Sequence, residues 1–348
     1  MERGTAERVA RAAAQAVGGQ VREEGVEGVL ARVFAVQAQD LPAAELGLRV
    51  RSTGLTRAAV HRALDTDRTL LRGWFMRGTL HLVPAADARW LLALYGPAQL
   101  ALAARRLREL DLSPELCERS EELMARAIAD EGPLTRAELT ARLGALGVPG
   151  TGQAAFHLIR RAALTGRICH GPLRAGEPAF ALLDAWLPPA GPPAFTGAAA
   201  HRELARRYRI GHGPADAADF AHWSGLRTGE AKEAWAASAR DHTDPGPAPA
   251  PDPDAPDVRL LPAYDDHLVA YRTREPTVPA AHEKRVWPGG GMIRATVLVD
   301  GLAVGTWTRG GGAGAAPRIE PFPDTAPLTP AATAALTREA EAAAAFTG

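Results

Sequence analysis

The chain has 348 residues, which is long enough for two or three compact units. Forty basic and forty acidic side chains cancel, so the chain lacks the overall positive charge typical of many nucleic-acid-binding proteins. A hydrophobic content of 46% and a charged content of 23% exclude a disordered or collagen-like chain. The two cysteines, Cys117 and Cys169, are too few for a disulfide framework or a thiolate zinc site, so we expect a reducing, cytoplasmic environment.

The first predicted helix lies before a pair of glutamines. Apolar residues recur at helical spacing between positions 26 and 34, and the pattern ends before Pro42. Because proline disfavours helix at the residue before it, we expect Gln37 and Gln39 at a helix end or in the turn that follows.

Two further helices and a hairpin are predicted next. The helices cover residues 43–51 and 56–64, the second opening with a threonine cap. The apolar runs 69–75 and 79–83 flank Met76-Arg77-Gly78 and predict a β-hairpin. Three helices closed by a hairpin are the components of a winged helix.

The same order of elements returns twice further along the chain. Thr135 is predicted to cap a helix, with Glu138 completing a capping box. A third set of helices follows between residues 198 and 238. The sequence therefore predicts a mainly α protein with short β-hairpins (α+β), built as three tandem units. Their predicted bounds are 1–97, 98–190 and 191–348.

The last part of the chain predicts a solvated loop, several strands and a final helix. Residues 244–257 are rich in proline, alanine and aspartate, which favours an extended loop. A strand is predicted over 258–261, and Asp300-Gly301 between alternating apolar residues predicts a hairpin within 296–308. An alanine-rich helix over 330–346 ends the chain.

A local excess of arginine lies in the middle of the chain. No aspartate or glutamate occurs between positions 139 and 176. The helix predicted over 153–165 carries two arginines near its end, where they could reach the phosphate oxygens of DNA. The alternative is a solvated surface in an arginine-rich protein. The arginines of this window are Arg142, Arg160, Arg161, Arg167 and Arg174.

Two groups of polar side chains are candidates for a functional site, and each has a structural alternative. Gln37 and Gln39 could face one cleft, or they could cap the end of a helix. Thr79 and His81 alternate onto one face of the predicted strand with Arg77 at the turn, or Arg77 and His81 could bond to nearby backbone.

Several common site types are excluded by their missing motifs. The sequence has no P-loop, no GxGxxG opening a helix, no GxSxG and no HExxH. Asp265-Asp266-His267 resembles a metal-binding trio only superficially, and no second cluster of ligands has suitable spacing. We expect no metal and no cofactor. No run of about 18 uncharged apolar residues occurs, so no membrane-spanning helix is expected.

Three motifs together resemble the AlkZ/YcaQ family of winged-helix DNA glycosylases. They cover the chain roughly from residue 20 to 310, and their agreement in order is more specific than any one of them. The motifs are Val36-Gln37-Ala38-Gln39-Asp40, Phe75-Met76-Arg77-Gly78-Thr79-Leu80-His81-Leu82-Val83, and Leu260-Leu261-Pro262-Ala263-Tyr264-Asp265-Asp266-His267-Leu268 with Tyr271-Arg272.

This resemblance implies a fold, an activity and a site. It implies three tandem winged helices arranged as a C-shaped DNA clamp that hydrolyses the N-glycosidic bond of N7-alkylguanine and unhooks interstrand cross-links. Gln37 and Gln39 match the Gln-x-Gln form of the family's catalytic motif, which is similar to the branch that protects producers of azinomycin-type antibiotics. Asp40 is a candidate to assist them or to cap a helix. Winged-helix DNA-binding regulators without catalysis are the alternative.

The expected chemistry suits two neutral amides. Alkylation at N7 makes guanine cationic, so the base leaves as a neutral molecule and needs no general acid. The protein must position a water and stabilise an oxocarbenium-like sugar, which oriented amide oxygens can do. A cross-linked base cannot be flipped into a closed pocket, so an open cleft is expected.

The remaining expectations concern DNA contacts and assembly. The turn at 76–78 and the hairpin from Arg294 to Arg309 are candidates for contact with a DNA groove. The expected partner is double-stranded DNA carrying alkylated or cross-linked guanine. The protein is expected to act as a monomer at the bacterial nucleoid.

Overall fold

The computed structural model describes residues 3–19, 21–188, 192–241, 248, 250–312 and 314–348. Packing divides the chain into two units. Residues 1–60 and 201–348 form one, here the terminal unit, and residues 61–200 form the other, the central unit. The division into three tandem units remains a prediction. Among the described helices, none is both long and apolar enough to cross a membrane.

The structure is mainly helical, with small sheets. In chain order its helices are α1 (Arg3–Ala14), α2 (Gly25–Val33), α3 (Leu41–Val50), α4 (Arg57–Asp65), α5 (Ala88–Glu109), α6 (Pro114–Glu131), α7 (Arg136–Leu143), α8 (Ala154–Leu164), α9 (Leu183–Trp186), α10 (Gly197–His212), α11 (Ala217–Ser224), α12 (Thr228–Ser238), α13 (Asp266–Val269), α14 (Glu283–Val286) and α15 (Pro330–Thr347). Its strands are β1 (Glu23–Glu24), β2 (Val36–Gln37), β3 (Ser52–Thr53), β4 (Leu70–Trp74), β5 (Leu80–Pro84), β6 (Leu134–Thr135), β7 (Ile168–Arg174), β8 (Glu177–Leu182), β9 (Val258–Leu261), β10 (Thr296–Val299), β11 (Leu302–Thr308) and β12 (Arg318–Pro321).

The first predicted helix of the terminal unit is confirmed as α2. Its apolar face is buried, with Val29 and Val33 fully covered. The helix ends at Phe34, whose backbone turns to φ 65°. Since this conformation cannot continue a right-handed helix, the chain leaves α2 shortly before the two glutamines.

An antiparallel sheet of four strands lies in the terminal unit, in the order β12-β11-β10-β9. Asp300 and Gly301 form the turn between β10 and β11 with φ values of 48° and 76°. The hairpin predicted at this Asp-Gly pair is therefore confirmed. The sequence did not predict β12. Helices α3 and α15 pack against β9.

The central unit contains two hairpins. In the first, β4 pairs antiparallel with β5, which confirms the hairpin predicted from the runs 69–75 and 79–83; Gly73 lies opposite His81. In the second, β7 pairs with β8, and β8 also pairs with β6, giving the order β6-β8-β7. The capping box before α7 is confirmed: the Thr135 backbone N–H donates to Glu138 at 2.7 Å, and the Glu138 N–H donates to Thr135 Oγ1 at 3.3 Å.

A long helix that the sequence pattern did not predict, α5, packs against α8. A Cβ added to Gly96 would lie 2.7 Å from the Leu164 carbonyl oxygen, so only glycine permits this close approach. Around the two helices lies an apolar core that includes Leu139, Leu158 and Ile159.

The loop predicted over 244–257 is described only in part. Residues 244–247 and 249 lie outside the described residues. Residues 250–257 are neither helix nor strand, as predicted.

Candidate functional site

The glutamine pair occupies a short non-helical segment between α2 and α3. Gln37 ends β2 and is buried, with 7% of its surface exposed, whereas Gln39 is exposed. The pair thus lies in the connection after a helix, as the sequence predicted. Because the segment is not helical, residues two apart are not forced onto opposite sides, as they would be in a helix.

Asp40 follows the glutamines and caps the next helix. Its Oδ1 accepts a hydrogen bond from the Ala43 backbone N–H at 3.1 Å, the usual geometry of an N-cap. Its Oδ2 lies 3.8 Å from a guanidinium nitrogen of Arg309. Of the two roles considered for this residue, helix capping is the one that the geometry displays.

Close packing of α3 positions the segment that precedes it. A Cβ added to Gly47 would lie 3.3 Å from Val36 and 3.7 Å from Pro262, so the glycine lets α3 approach both chain segments. At the end of α3, Arg51 donates two hydrogen bonds to the carboxylate of Asp265, at 2.7 and 2.8 Å. These contacts hold α3 against the segments that contain Val36, Pro262 and Asp265.

The Asp265-Asp266-His267 motif forms buried pairs. Asp266 accepts a hydrogen bond from Trp223 Nε1 at 3.0 Å and interacts with His212 Nε2 at 2.6 Å. Burial disfavours the Asp266 carboxylate, but His212, Arg51 and Trp223 together outweigh burial and lower the pKa of Asp266. Burial lowers the pKa of His267 to about 3, so its imidazole is neutral. In the described part of the chain, no three His, Cys, Asp or Glu side chains are grouped to hold a metal ion.

Two open clefts adjoin the N-terminal half of α3. The first, of about 480 Å³, is lined by the charged side chains Asp40, Arg294, Arg309 and Glu320 together with apolar residues and two threonines. The second, of about 490 Å³, is lined by Glu45 and Arg57, whose side chains form an ion pair at 2.7 Å. Cationic side chains and the start of α3 thus border open space beside the glutamine segment.

Comparisons with known proteins identify the family. The family model of AlkZ-like DNA glycosylases matches residues 30–346, which is nearly the whole chain. The chain belongs to the AlkZ-like DNA glycosylase family. A curated interstrand DNA cross-link repair glycosylase from Streptomyces sahachiroi is 28% identical, and the match covers 85% of each chain. The solved structure of Streptomyces sahachiroi DNA glycosylase AlkZ has a TM-score of 0.76 over 99% of this chain and 97% of that one. At 24% identity, this likeness shows a shared fold.

The second motif of this AlkZ-like chain lies in the central unit and forms a tight turn. Arg77 adopts φ 54° and ψ 10°, and Gly78 adopts φ 73°. Thr79 Oγ1 donates to the Met76 carbonyl at 3.1 Å, and a ring nitrogen of the fully buried His81 lies 3.0 Å from the Thr79 carbonyl. The predicted contact of His81 with nearby backbone is therefore present.

The arginines of the acid-poor window differ in their surroundings. Arg161 forms an ion pair with Glu121 at 2.8 Å, so a carboxylate from α6 offsets its charge. Arg160 instead donates to the amide oxygen of Gln99 at 2.9 Å, and Arg167 is exposed. Arg160 and Arg161, which the sequence groups together, therefore have different partners in the structure.

The sequence did not indicate Glu45 and Trp307 as cleft residues. Trp307 donates from Nε1 to the Leu261 carbonyl at 2.7 Å, which ties β11 to β9 beside the cleft. Glu45 lies on α3, about one turn beyond the Asp40 cap. It is buried, which is unusual for a glutamate. Its position five residues after a predicted cap was the available signal.

Proposed function

We propose that the protein is a monofunctional DNA glycosylase that hydrolyses the N-glycosidic bond of N7-alkylguanine and unhooks interstrand cross-links. The observation that carries this proposal is the glutamine segment: Gln39 is exposed, and the next residue, Asp40, lines an open cleft with Arg294 and Arg309. Membership of the AlkZ-like family and the cross-link repair relative support it.

Gln37 and Gln39 orient the attacking water. N7-alkylguanine is cationic and leaves as a neutral base, so the reaction needs a positioned water and stabilisation of the sugar cation more than it needs an acid. Amide oxygens held by a rigid backbone supply both through position and dipole. The buried Gln37 is held in place, and the exposed Gln39 faces solvent, from which the water comes.

The residues around the glutamines support the site. Asp40 holds the start of α3, and Arg294 and Arg309 contact DNA along the cleft. Arg77, Thr79 and His81 shape the turn of the second motif. Among the central-unit arginines, we assign phosphate contact first to Arg160 and Arg167, since Glu121 offsets the charge of Arg161.

The fold suits a duplex held on an open surface. We propose that α6, α7 and α8 with the β6-β8-β7 sheet form a winged helix, one of three in the chain. A cross-linked guanine remains joined to the opposite strand, so an open cleft fits this substrate better than a closed pocket that receives a flipped base.

The proposal includes hydrolysis without strand cleavage. A lyase step requires an amine that forms a Schiff base. The chain has two lysines, Lys232 and Lys284, and neither is among the described residues that line the cleft beside Asp40. We propose that the protein acts as a monomer on the DNA of a bacterium, in repair or in self-resistance to a DNA-alkylating antibiotic.

The test is release of a damaged base from a defined duplex. Purified protein is incubated with one duplex carrying N7-methylguanine and another carrying a single N7-guanine cross-link, and the products are heated in alkali. From the methylated duplex we expect free N7-methylguanine, and from the cross-linked duplex we expect two separable strands, one abasic and the other still carrying the excised guanine. Both abasic sites should be alkali-sensitive, with the sugar-phosphate strands intact before heating. Undamaged duplex should stay whole, because neutral guanine is a poor leaving group.

Other outcomes would assign another role. Sequence-selective binding without new abasic sites would make the protein a DNA-binding regulator. Tight binding to damaged duplex without turnover would make it a damage-binding protein. Strand cleavage before heating would show lyase activity and contradict the monofunctional reaction.

A further inference from the structure

Helices α5 and α8 lie against each other in an antiparallel register. Gly96 meets Leu164 at one end of the contact. Arg160 then donates to Gln99 at 2.9 Å, and Arg106 donates to Gln153 at 2.7 Å. From one pair to the next, the residue number increases along α5 and decreases along α8, so the two helices are antiparallel.

This register defines a polar seam on the central unit. Positions 153, 157 and 160 share one face of α8, since they are spaced by four and three residues. We call this surface the α5–α8 seam; its residues are Gln99, Arg106, Gln153, His157 and Arg160.

The seam carries positive charge that has few carboxylate partners. Burial, followed by the charges of Arg160 and Arg106, lowers the pKa of His157. Arg160 has no carboxylate partner among the residues that the structure describes, whereas Arg106 shares Glu109 with its neighbour Arg105.

Two other arginines of the acid-poor window contrast with Arg160. Arg142 is paired with Glu131 at 2.9 Å, and Arg174 with Glu138 at 2.7 Å. Among the described residues Arg160 is thus half-buried without a carboxylate partner, and its N–H groups beyond the one bonded to Gln99 can bind an anion.

Arg160 also links the seam to the turn of the second motif. Its Nη2 would lie 3.2 Å from a Cβ on Gly78, so the guanidinium rests against the turn. Gln99, which accepts from Arg160, donates to the Phe75 carbonyl at 2.7 Å. An anion bound by Arg160 would therefore lie beside the residues that fix the conformation of this turn.

We infer that the α5–α8 seam binds the phosphodiester backbone of duplex DNA, with Arg160 and His157 as its central contacts. The inference rests on the DNA-directed activity proposed above and adds a specific anchoring site. From Gln99 to Arg106 the seam extends seven residues, or about 10 Å of helix. One DNA strand carries about three phosphates over this axial length. Backbone contact carries no base information, so the seam should act alike on all sequences.

The test measures salt dependence of binding to an undamaged fluorescent duplex. For the full chain, log K is measured by anisotropy against log salt concentration. Arg160→Gln keeps a hydrogen-bonding amide beside Gln99 but removes the charge. We expect its slope to be smaller by about 0.9, the value for one lost phosphate contact, with affinity reduced for every sequence tested. Arg160→Lys should keep most of the slope.

Arg142→Gln is the matched control, because Arg142 comes from the same window but is paired. It should leave the slope unchanged. An unchanged slope in Arg160→Gln, or an equal fall in Arg142→Gln, would overturn the proposed phosphate contact at the α5–α8 seam. This outcome is separate from failure of the glycosylase proposal, which would appear as wild-type protein that binds duplex but releases no alkylguanine. Unaltered thermal unfolding of the Arg160 variants would show that both are folded.

Discussion

Arg51 and Asp265 form a two-pronged ion pair that is fully buried, with N–O distances of 2.7 and 2.8 Å. The arginine ends α3, and the aspartate follows β9 in the third motif of the sequence. Asp265 also accepts the backbone N–H of His267 at 2.9 Å. The motif therefore has a structural role, because it joins the sheet of the terminal unit to the helix that follows the two glutamines.

Breaking this pair should destabilise the protein severely. Arg51→Ala or Asp265→Asn leaves a buried charge without its partner, and we expect a loss of about 3–5 kcal/mol in the free energy of unfolding. Urea denaturation measures it. The double variant Arg51→Met with Asp265→Leu should lose less than either single variant, since no charge remains buried. A double variant as unstable as the sum of the singles would refute this account.

Asp40 should act as a helix cap. Asparagine caps as well as aspartate, so Asp40→Asn should keep both stability and base release near the wild-type values. Asp40→Ala should lower the free energy of unfolding by about 1 kcal/mol. Denaturation and alkylguanine release, measured on both variants, separate the roles. Loss of base release in a stable Asp40→Asn protein would instead assign the carboxylate to catalysis.

Local signals predicted most of the elements. The Thr135–Glu138 capping box and the Asp300-Gly301 turn depend on residues close in sequence, and both occur as expected. Periodic apolar residues predicted α2. In contrast, α5 has apolar residues around its whole circumference and Pro97 inside it, so no single stripe marks it as a helix. Tertiary packing, including the close approach at Gly96, stabilises it instead.

The pairing of charged side chains in the folded protein could not be deduced from their order along the chain. The window from 139 to 176 lacks acids, but Glu121 on α6 pairs with Arg161 in the folded unit. Likewise, the sequence placed the glutamines correctly between two helices but could not show that Gln37 is buried while Gln39 is exposed. Both facts depend on elements distant in sequence.

The two glutamines should be needed for base release and not for DNA binding. Gln37→Ala and Gln39→Ala should abolish release of alkylguanine while duplex affinity stays within several-fold. Gln39→Leu, which keeps the volume without the amide, should fail like alanine. Gln39→Glu should keep part of the activity, because a carboxylate oxygen can also orient a water. Single-turnover release and anisotropy measure the two properties. Equal losses of both would assign the glutamines to the scaffold.

His170 should make stability fall at acidic pH. It lies between Trp74 and Phe180, and burial lowers its pKa to about 3. The unfolded state binds a proton near pH 6.5 and the folded state does not, so stability decreases as pH falls below about 6.5. At pH 5 the loss is about 2 kcal/mol. His170→Phe should remove this part of the pH dependence.

Unfolding free energies of wild type and His170→Phe at pH 8 and pH 5 provide the measurement. Any steric cost of phenylalanine is common to both values, so their difference isolates the proton. The same pH dependence in both proteins would show that His170 is not responsible.

His157 should couple DNA binding to proton uptake. In the free protein its pKa is below the ordinary 6.5, because of burial and then because of Arg160 and Arg106. A DNA phosphate in the α5–α8 seam favours the imidazolium and raises this pKa. Affinity should therefore increase as pH falls through the pKa of the complex, and this gain should be absent at higher pH. Anisotropy titrations from pH 8 to pH 5.5, at constant salt, measure this gain in affinity.

His157→Gln should bind with little change across this range, whereas His201→Gln, on α10 and outside the seam, should behave as wild type. A pH dependence that survives His157→Gln would place the titrating group elsewhere and remove His157 from the phosphate contact.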